Sequence, residues 1–353
     1  AAALPAPADL MPAQHARSAA GPASDWLRGP TFDLGLIGGV LVLALVLGGL
    51  ASASPRLFTA VLVLDLWLLA YPHVASTFTR VAFDRASARR HWFLLLALPP
   101  IVLLATAGMY RVGGFVALSS LYYYWQSWHY TRQSHGIARA YHRAAGLRVP
   151  DRLDDAVILA FPLWGVLHRV YQQPGEFYQV PLWTPAIPGA LVVLAGSAAL
   201  GLLLVWSLRY VRAARSSPPR SLGHALFVLS HVAITVVSYL VISDVTRGWL
   251  FINIWHNAQY LLFVWAMNAR RFAAGIDPRR PFLSAICQPT RVGHYALTCL
   301  ALSTGFYLLL GQTPEAPAWS PLLPLLLVCH MAVNFHHYLV DAVIWGSRAR
   351  SRP

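Results

Sequence analysis

The sequence predicts an all-α fold, a polytopic transmembrane helix bundle of about ten spans, with eight or nine as the alternatives. Three observations carry this. Hydrophobic residues make up 57% of the 353 positions and charged residues only 11%, against about a quarter charged in an average soluble domain. Apolar runs such as 34–50, 186–208 and 322–333 recur along the chain with no soluble domain between them. The basic residues alternate between crowded and sparse loops, as repeated bilayer crossings require.

Windows of about twenty apolar residues place the spans near 32–53, 57–79, 91–108, 114–138, 154–170, 186–208, 222–243, 248–268, 294–311 and 320–345. Residues 1–30, rich in Ala and Pro and without the pattern of a signal peptide, are expected to form a disordered cytoplasmic tail. Residues 31–346 form a single transmembrane domain and 347–353 a basic cytoplasmic tail.

The chain has 27 basic residues and no lysine, and with the N-terminus inside, 23 of the 27 arginines fall on the inner side. Arg56, Arg111, Arg169 and Arg247 remain outside. This split supports both termini in the cytoplasm, as expected for a bacterial inner-membrane protein. The net charge of +14 is spread over many loops, so it reports topology and not a nucleic-acid partner. The three cysteines, Cys287, Cys299 and Cys329, are too scattered for a disulfide framework or a CxxC metal site.

On this topology His73, His129, His256, His330, His336 and His337 fall at similar depth on four spans running outward to inward, and His231 joins them from a span running the other way. Ionisable groups at such depth are costly and face the bundle interior. In VCHMAVNFHHYLVDAVIW, residues 328–345, His330, Asn334, His337 and Asp341 form one stripe, with His336 about 100° away. Asp341, one turn below His337, can fix an imidazole tautomer. In FINIWHNAQYLL the residues Asn253, His256, Gln259 and Tyr260 share a face, and Pro72 precedes His73 in the second span. The fourth span reads LYYYWQSWHYTRQSHG, where Gln126, His129 and Gln133 share a face and His135 follows. A polar seam between packed helices is the bland reading of each cluster. His15, His91, His142, His168, His224 and His294 read as tail or interfacial residues. The metal candidates are therefore His73, His129, His256, His330, His336 and His337, then His135 and His231, with Asp341, Tyr260 and Asn334 as candidate catalytic groups.

Absences narrow the chemistry. Both glutamates, Glu176 and Glu315, lie in outside loops, which excludes a di-iron site built from Glu and ExxH pairs. There is no HExxH, HxxxH or HxxHH box, and no lysine for a retinal Schiff base. A site dominated by neutral imidazoles suits Fe(II) best, ahead of Zn or Cu.

The four clusters PH (72–73), WHYTRQSHG (128–136), IWHNAQYLLFVW (254–265) and FHHYLVD (335–341) resemble, in order and spacing, those of the bacteriorhodopsin-related-protein family. These are membrane-embedded, iron-dependent β-carotene 15,15′-dioxygenases. The chain departs from the family where Thr77 and Phe78 replace an acid and Tyr260 replaces a second histidine. The resemblance implies iron ligands at His73, His129, His256 and His336, with Asp341 behind them, and a relative acting on another lipophilic molecule than carotene.

The function expected is an oxygenase that activates O₂ against a hydrophobic small molecule, a carotenoid, another isoprenoid or a lipid, drawn from the bilayer. A proton- or metal-coupled transporter is the first alternative, and a b-type haem protein the second. Topology reporters fused at Pro353 and near Glu315 should give opposite signals; matching signals would defeat the ten-span arrangement.

Overall fold

Helix starts are set by prolines and by serine or aspartate caps. In the computed structural model, which describes residues 24–147, 151–214, 221–311 and 323–346, α1 (Pro30–Ala53) opens at Pro30. Residues 1–23 of the tail expected at 1–30, the tail expected at 347–353, and Glu315 lie outside the described residues. Ser54 caps α2 (Pro55–Val81), Asp84 caps the short α3 (Arg85–Arg90), and α4 (Phe93–Ala144) follows. Asp151 caps α5 (Arg152–Gln172); α6 is Gly189–Ala214. Ser221 caps α7 (Leu222–Val241) and Asp244 caps α8 (Val245–Arg271). The short α9 (Pro281–Ile286) precedes α10 (Val292–Gly311) and α11 (Leu323–Gly346).

Each of the ten predicted intervals falls mainly on helix among the described residues, and seven of the described helices are long and apolar enough to cross a membrane. The difference from ten has two causes. The third and fourth intervals join as α4, and α5 and α8 are long enough but more polar. For α8 the reason is its position. Every residue from Gly248 to Leu261 is buried, so its polar side chains face other helices and not lipid. The outward sides of α1, α6 and α10 carry the exposed apolar residues instead, among them Val46, Leu194, Leu204 and Leu297.

A straight α4 of 52 residues would reach about 78 Å at the usual helical rise, far beyond a bilayer. It folds back at Gly114, whose φ of 62° and ψ of −159° are non-helical. Contacts with α11 prove the reversal. The backbone oxygen of Leu94 bonds the ring of His336 at 2.7 Å, while Trp125 stacks on the neighbouring Phe335 at 5.2 Å. Two positions so far apart along one helix reach adjacent residues only if the helix doubles over. α4 is thus a hairpin of two arms, with α11 packed along it.

Contacts sort the loops into two ends. At one, Arg139 binds Asp155, Arg209 binds Asp151, and Asp84 binds Arg271 and Arg280. Residues 24–29, within the stretch expected as tail, pack here too. Ser24 N–H donates to the Ala144 carbonyl (2.9 Å), and buried Asp33 accepts the N–H groups of Leu27, Arg28 and Gly29 and the Tyr141 hydroxyl.

At the other end Arg169 is buried and donates to the carbonyls of Ser238, Ser243 and Ile242, satisfying acceptors left open where α7 ends. A two-stranded hairpin, β1 (Glu176–Phe177) against β2 (Val180–Pro181), closes this end. Its turn residues Tyr178 and Gln179 both have positive φ, the backbone of a tight hairpin turn. Tyr178 is held there by Thr246 Oγ1 on its N–H (3.1 Å) and by Trp249 against its ring at 5.2 Å.

Because Gly114 sits in a region of backbone space that side chains avoid, Gly114→Ala should destabilise the bundle by about 1–3 kcal/mol. Gly108→Ala, at an open helical position, should do nothing of the kind. Unfolding in mixed micelles followed by circular dichroism measures both; equal behaviour would refute the hairpin.

Candidate metal centre

Pro72 lacks an N–H and cannot continue regular helical bonding. The chain answers one turn earlier, where Leu66–Ala70 widens into i→i+5 turns. Just beyond Pro72, the buried His73 turns into the interior. His129 arrives from the second arm of α4, His256 from the middle of α8, and His337 with Asp341 from α11.

The five groups are buried and close. Ring centroids lie 4.7 Å apart for His73 and His256, 4.7 Å for His73 and His337, 4.8 Å for His129 and His337, and 5.0 Å for His129 and His256. One ligand atom from each of His73, His129, His337 and Asp341 can be chosen so that all lie within 4.8 Å of one another. The Nε2 atoms of His73 and His337 face each other at 2.9 Å, close to the separation of about 3 Å for two nitrogens bound at right angles to one metal at about 2.0–2.1 Å.

Unsatisfied atoms crowd the same place. His73 Nδ1, His129 Nε2, His256 Nδ1, His337 Nδ1 and Asp341 Oδ2 are buried without a hydrogen-bond partner. Buried polar atoms are almost always paired; a cation beside the facing Nε2 atoms of His73 and His337 could also take Asp341 Oδ2, whereas the Nδ1 atoms of those two rings lie on their far sides. The arrangement can therefore hold one metal ion with three or four imidazoles and a carboxylate. A cavity of about 30 Å³, bounded by Tyr122, His330, Asn334 and Tyr338 among others, lies beside the cluster. That is room for a water or a diatomic molecule.

Neighbours fix the ligands. Asp341 Oδ1 accepts from the Tyr260 hydroxyl (2.7 Å) and from Thr77 Oγ1 (3.0 Å), while Oδ2 lies 3.8 Å from His337 Nε2. The carboxylate is thus oriented by hydroxyls, and its free oxygen faces the imidazoles. Tyr130 lies against His256 and Tyr338 stacks on His129, with centroids 4.2 and 4.4 Å away. Behind them Asn253 Oδ1 accepts from Tyr130 (2.5 Å) and Gln126 (3.3 Å), and its amide donates to Asp65 (2.5 Å).

Several predicted candidates lie elsewhere. His336, to which the resemblance assigns a ligand role, turns away; its ring donates to Leu94 O and stacks on Phe78. Adjacent helical residues diverge by about 100°, and the rotation of α11 gives the inner position to His337. His330 sits between the rings of Tyr71 and Tyr307, and Asn334 donates to the His330 carbonyl (2.9 Å). Both border the cavity outside the cluster. His135 pairs with Asp155 at 2.8 Å in the arginine-rich end, and His231 bonds the Ile158 carbonyl at 3.0 Å. Neither belongs to the cluster.

The sequence reading overlooked two features. Thr77, noticed only as a missing acid, holds Asp341. His142 and His224, read as interfacial, have ligand atoms within 4.8 Å of one another and of Asp154. Nothing in their spacing announces this, because each comes from a different helix. Trp206 donates to the same carboxylate at 2.7 Å.

The fold and site define a membrane-type helix bundle with a buried His/Asp group able to hold a metal. No family model, curated protein or solved structure matches the chain. The family resemblance thus rests on the quoted motif residues alone.

The geometry separates neighbours in the last helix. After loading with Co(II), His337→Ala should lose the visible ligand-field bands and His336→Ala should keep them. Retention of full cobalt by His337→Ala would remove that residue from the ligand set.

Proposed function

We propose that the protein is an integral-membrane, non-haem iron oxygenase, with Fe(II) held by His73, His129, His256 and His337 together with Asp341. The observation that carries this reading is the group of four buried residues, His73, His129, His337 and Asp341, whose ligand atoms lie within 4.8 Å of one another beside a cavity of diatomic size. Bound iron would supply the activation of O₂ and its placement against a substrate.

The chain's own residues do the rest. Tyr260 and Thr77 hold Asp341, so one carboxylate oxygen stays directed at the imidazoles. Tyr130 and Tyr338 fix two imidazole rings and keep water out of the ligand ring. Tyr122, Asn334 and His330 line the cavity together with the cluster imidazoles. A lipophilic substrate, carotenoid, other isoprenoid or lipid, would approach from the bilayer and displace part of this wall. In the orientation inferred from arginine counts, both termini face the cytoplasm of a bacterial inner membrane.

Protein purified in mild detergent should carry about one iron per chain, show no Soret band, and consume O₂ when given a membrane-lipid extract. Chelation should abolish uptake, and Fe(II) but not Zn(II) should restore it. Asp341→Asn, which replaces a charged ligand oxygen by a neutral amide, should lose iron to a chelator more readily than the unaltered protein. A Soret band would establish the haem alternative. Absence of tightly held metal, with metal or proton flux in proteoliposomes, would establish the transporter.

A further inference from the structure

Outside the metal centre, the described residues enclose a concavity of about 790 Å³ at the arginine-rich end of the bundle. Five guanidinium groups line it, those of Arg80, Arg90, Arg143, Arg270 and Arg271, together with His91. They come from four separate stretches: the end of α2, the end of α3, the end of α4 and the end of α8. Leu27, Val81, Met267 and Ile344 supply an apolar floor.

Among the described residues Asp84 is the only acid in the lining, and it is already engaged. Its Oδ2 accepts from Arg271 (2.8 Å) and from Arg280 (2.5 Å). Burial alone would raise its carboxyl, but the hydrogen bonds from the two arginines outweigh that and hold it at about 2. It therefore stays charged at neutral pH, and one carboxylate faces an excess of cations.

Topology alone accounts for arginine at this end of the bundle, since inner loops collect positive charge. It does not account for convergence. Like charges brought into one cleft repel and focus a positive potential there, whereas the same residues spread over separate loops would satisfy the topological rule. The choice of Arg over Lys carries no weight, because the chain has no lysine. The convergence of five forked donors does, because a tetrahedral oxyanion can accept from several of them at once.

We propose that this cavity binds a phosphoryl group, either the headgroup of an anionic phospholipid or a soluble phosphate ester. The site stands apart from the identity of the metal, although the two share helices. Arg80 lies seven residues beyond His73, and Ile344 seven beyond His337, which places the cavity about 10 Å along those helices from the cluster. The Arg80 guanidinium is within electrostatic reach of Asp341 and Tyr260. An anion seated here would alter the field at the metal centre.

The test uses the full chain with whatever metal it retains. Inorganic pyrophosphate is titrated calorimetrically into detergent-solubilised protein, and phosphatidic acid is offered in phosphatidylcholine nanodiscs with retained lipid read by native mass spectrometry. Arg143 and Arg270 are exposed, so glutamine is tolerable at both. Arg143→Gln with Arg270→Gln should weaken binding at least about tenfold through loss of two charge-assisted contacts. Arg209→Gln with Arg212→Gln removes equal charge away from the cavity and should weaken it less than about threefold, by long-range field alone. Should the first pair fail to purify, Arg90→Gln alone provides the same comparison against Arg209→Gln. Binding in the lipid arm alone identifies a headgroup, and binding of pyrophosphate identifies a soluble phosphate. Absence of binding in both arms, or equal loss in the cavity and control variants, overturns the proposal.

Discussion

A polar side chain on a helix that lipid cannot solvate has to find its partner on another helix, and Asn253 finds partners on two. It accepts from Tyr130 and Gln126 on α4 and donates to Asp65 on α2, while Trp249 donates to the same Gln126 at 2.8 Å. In a low-dielectric interior such bonds are individually stronger, and leaving one unmade is costly. This network sets the rotation and height of α2, α4 and α8 together. Once those three are fixed, His73, His129 and His256 have little freedom in where they meet. The imidazole ring is a consequence of the amide behind it.

The same constraint explains the composition of α8. Surrounded on all sides, it gains nothing from an apolar face and everything from polar residues with partners in reach. Gly48 on α1 allows a close approach, since a Cβ there would lie 2.5 Å from the ring of Phe251. A helix more polar than its neighbours is thus the axis of the bundle, and the apolar helices are its lipid-facing coat.

Much of the architecture was legible in the chain because bilayer thickness and arginine placement act on long segments, so errors of a few residues cancel. The meeting of His73, His129 and His256 was legible for a related reason: depth along a span follows from residue counting. Rotation about a helix axis does not. His336 and His337 share a depth, and only the packing of α11 along the α4 hairpin decides which ring turns inward. His135 and His231 illustrate the same limit, each satisfied by a local partner, Asp155 or a backbone carbonyl, that spacing could not reveal. The role of Thr77 was hidden because hydroxyls are common in spans and carry no periodic signal. The group formed by His142, Asp154 and His224 needs three helices to come together.

The doubled-over α4 has a mechanical consequence. α11 is gripped by both arms of that hairpin, through Leu94 and Phe335 with Trp125, so the hairpin and last helix form one block. α2 and α8, tied by Asp65 and Asn253, belong to a second. The boundary between these blocks passes through the His73 and His337 pair, through the hydroxyls of Thr77 and Tyr260 on Asp341, and through the bonds of Tyr130 and Gln126 to Asn253. Sliding of one block past the other would strain the imidazole pair and the Asn253 bonds together. An ion held there would lie across the seam as a rivet, and its arrival or loss would register as a change in stiffness of the whole bundle.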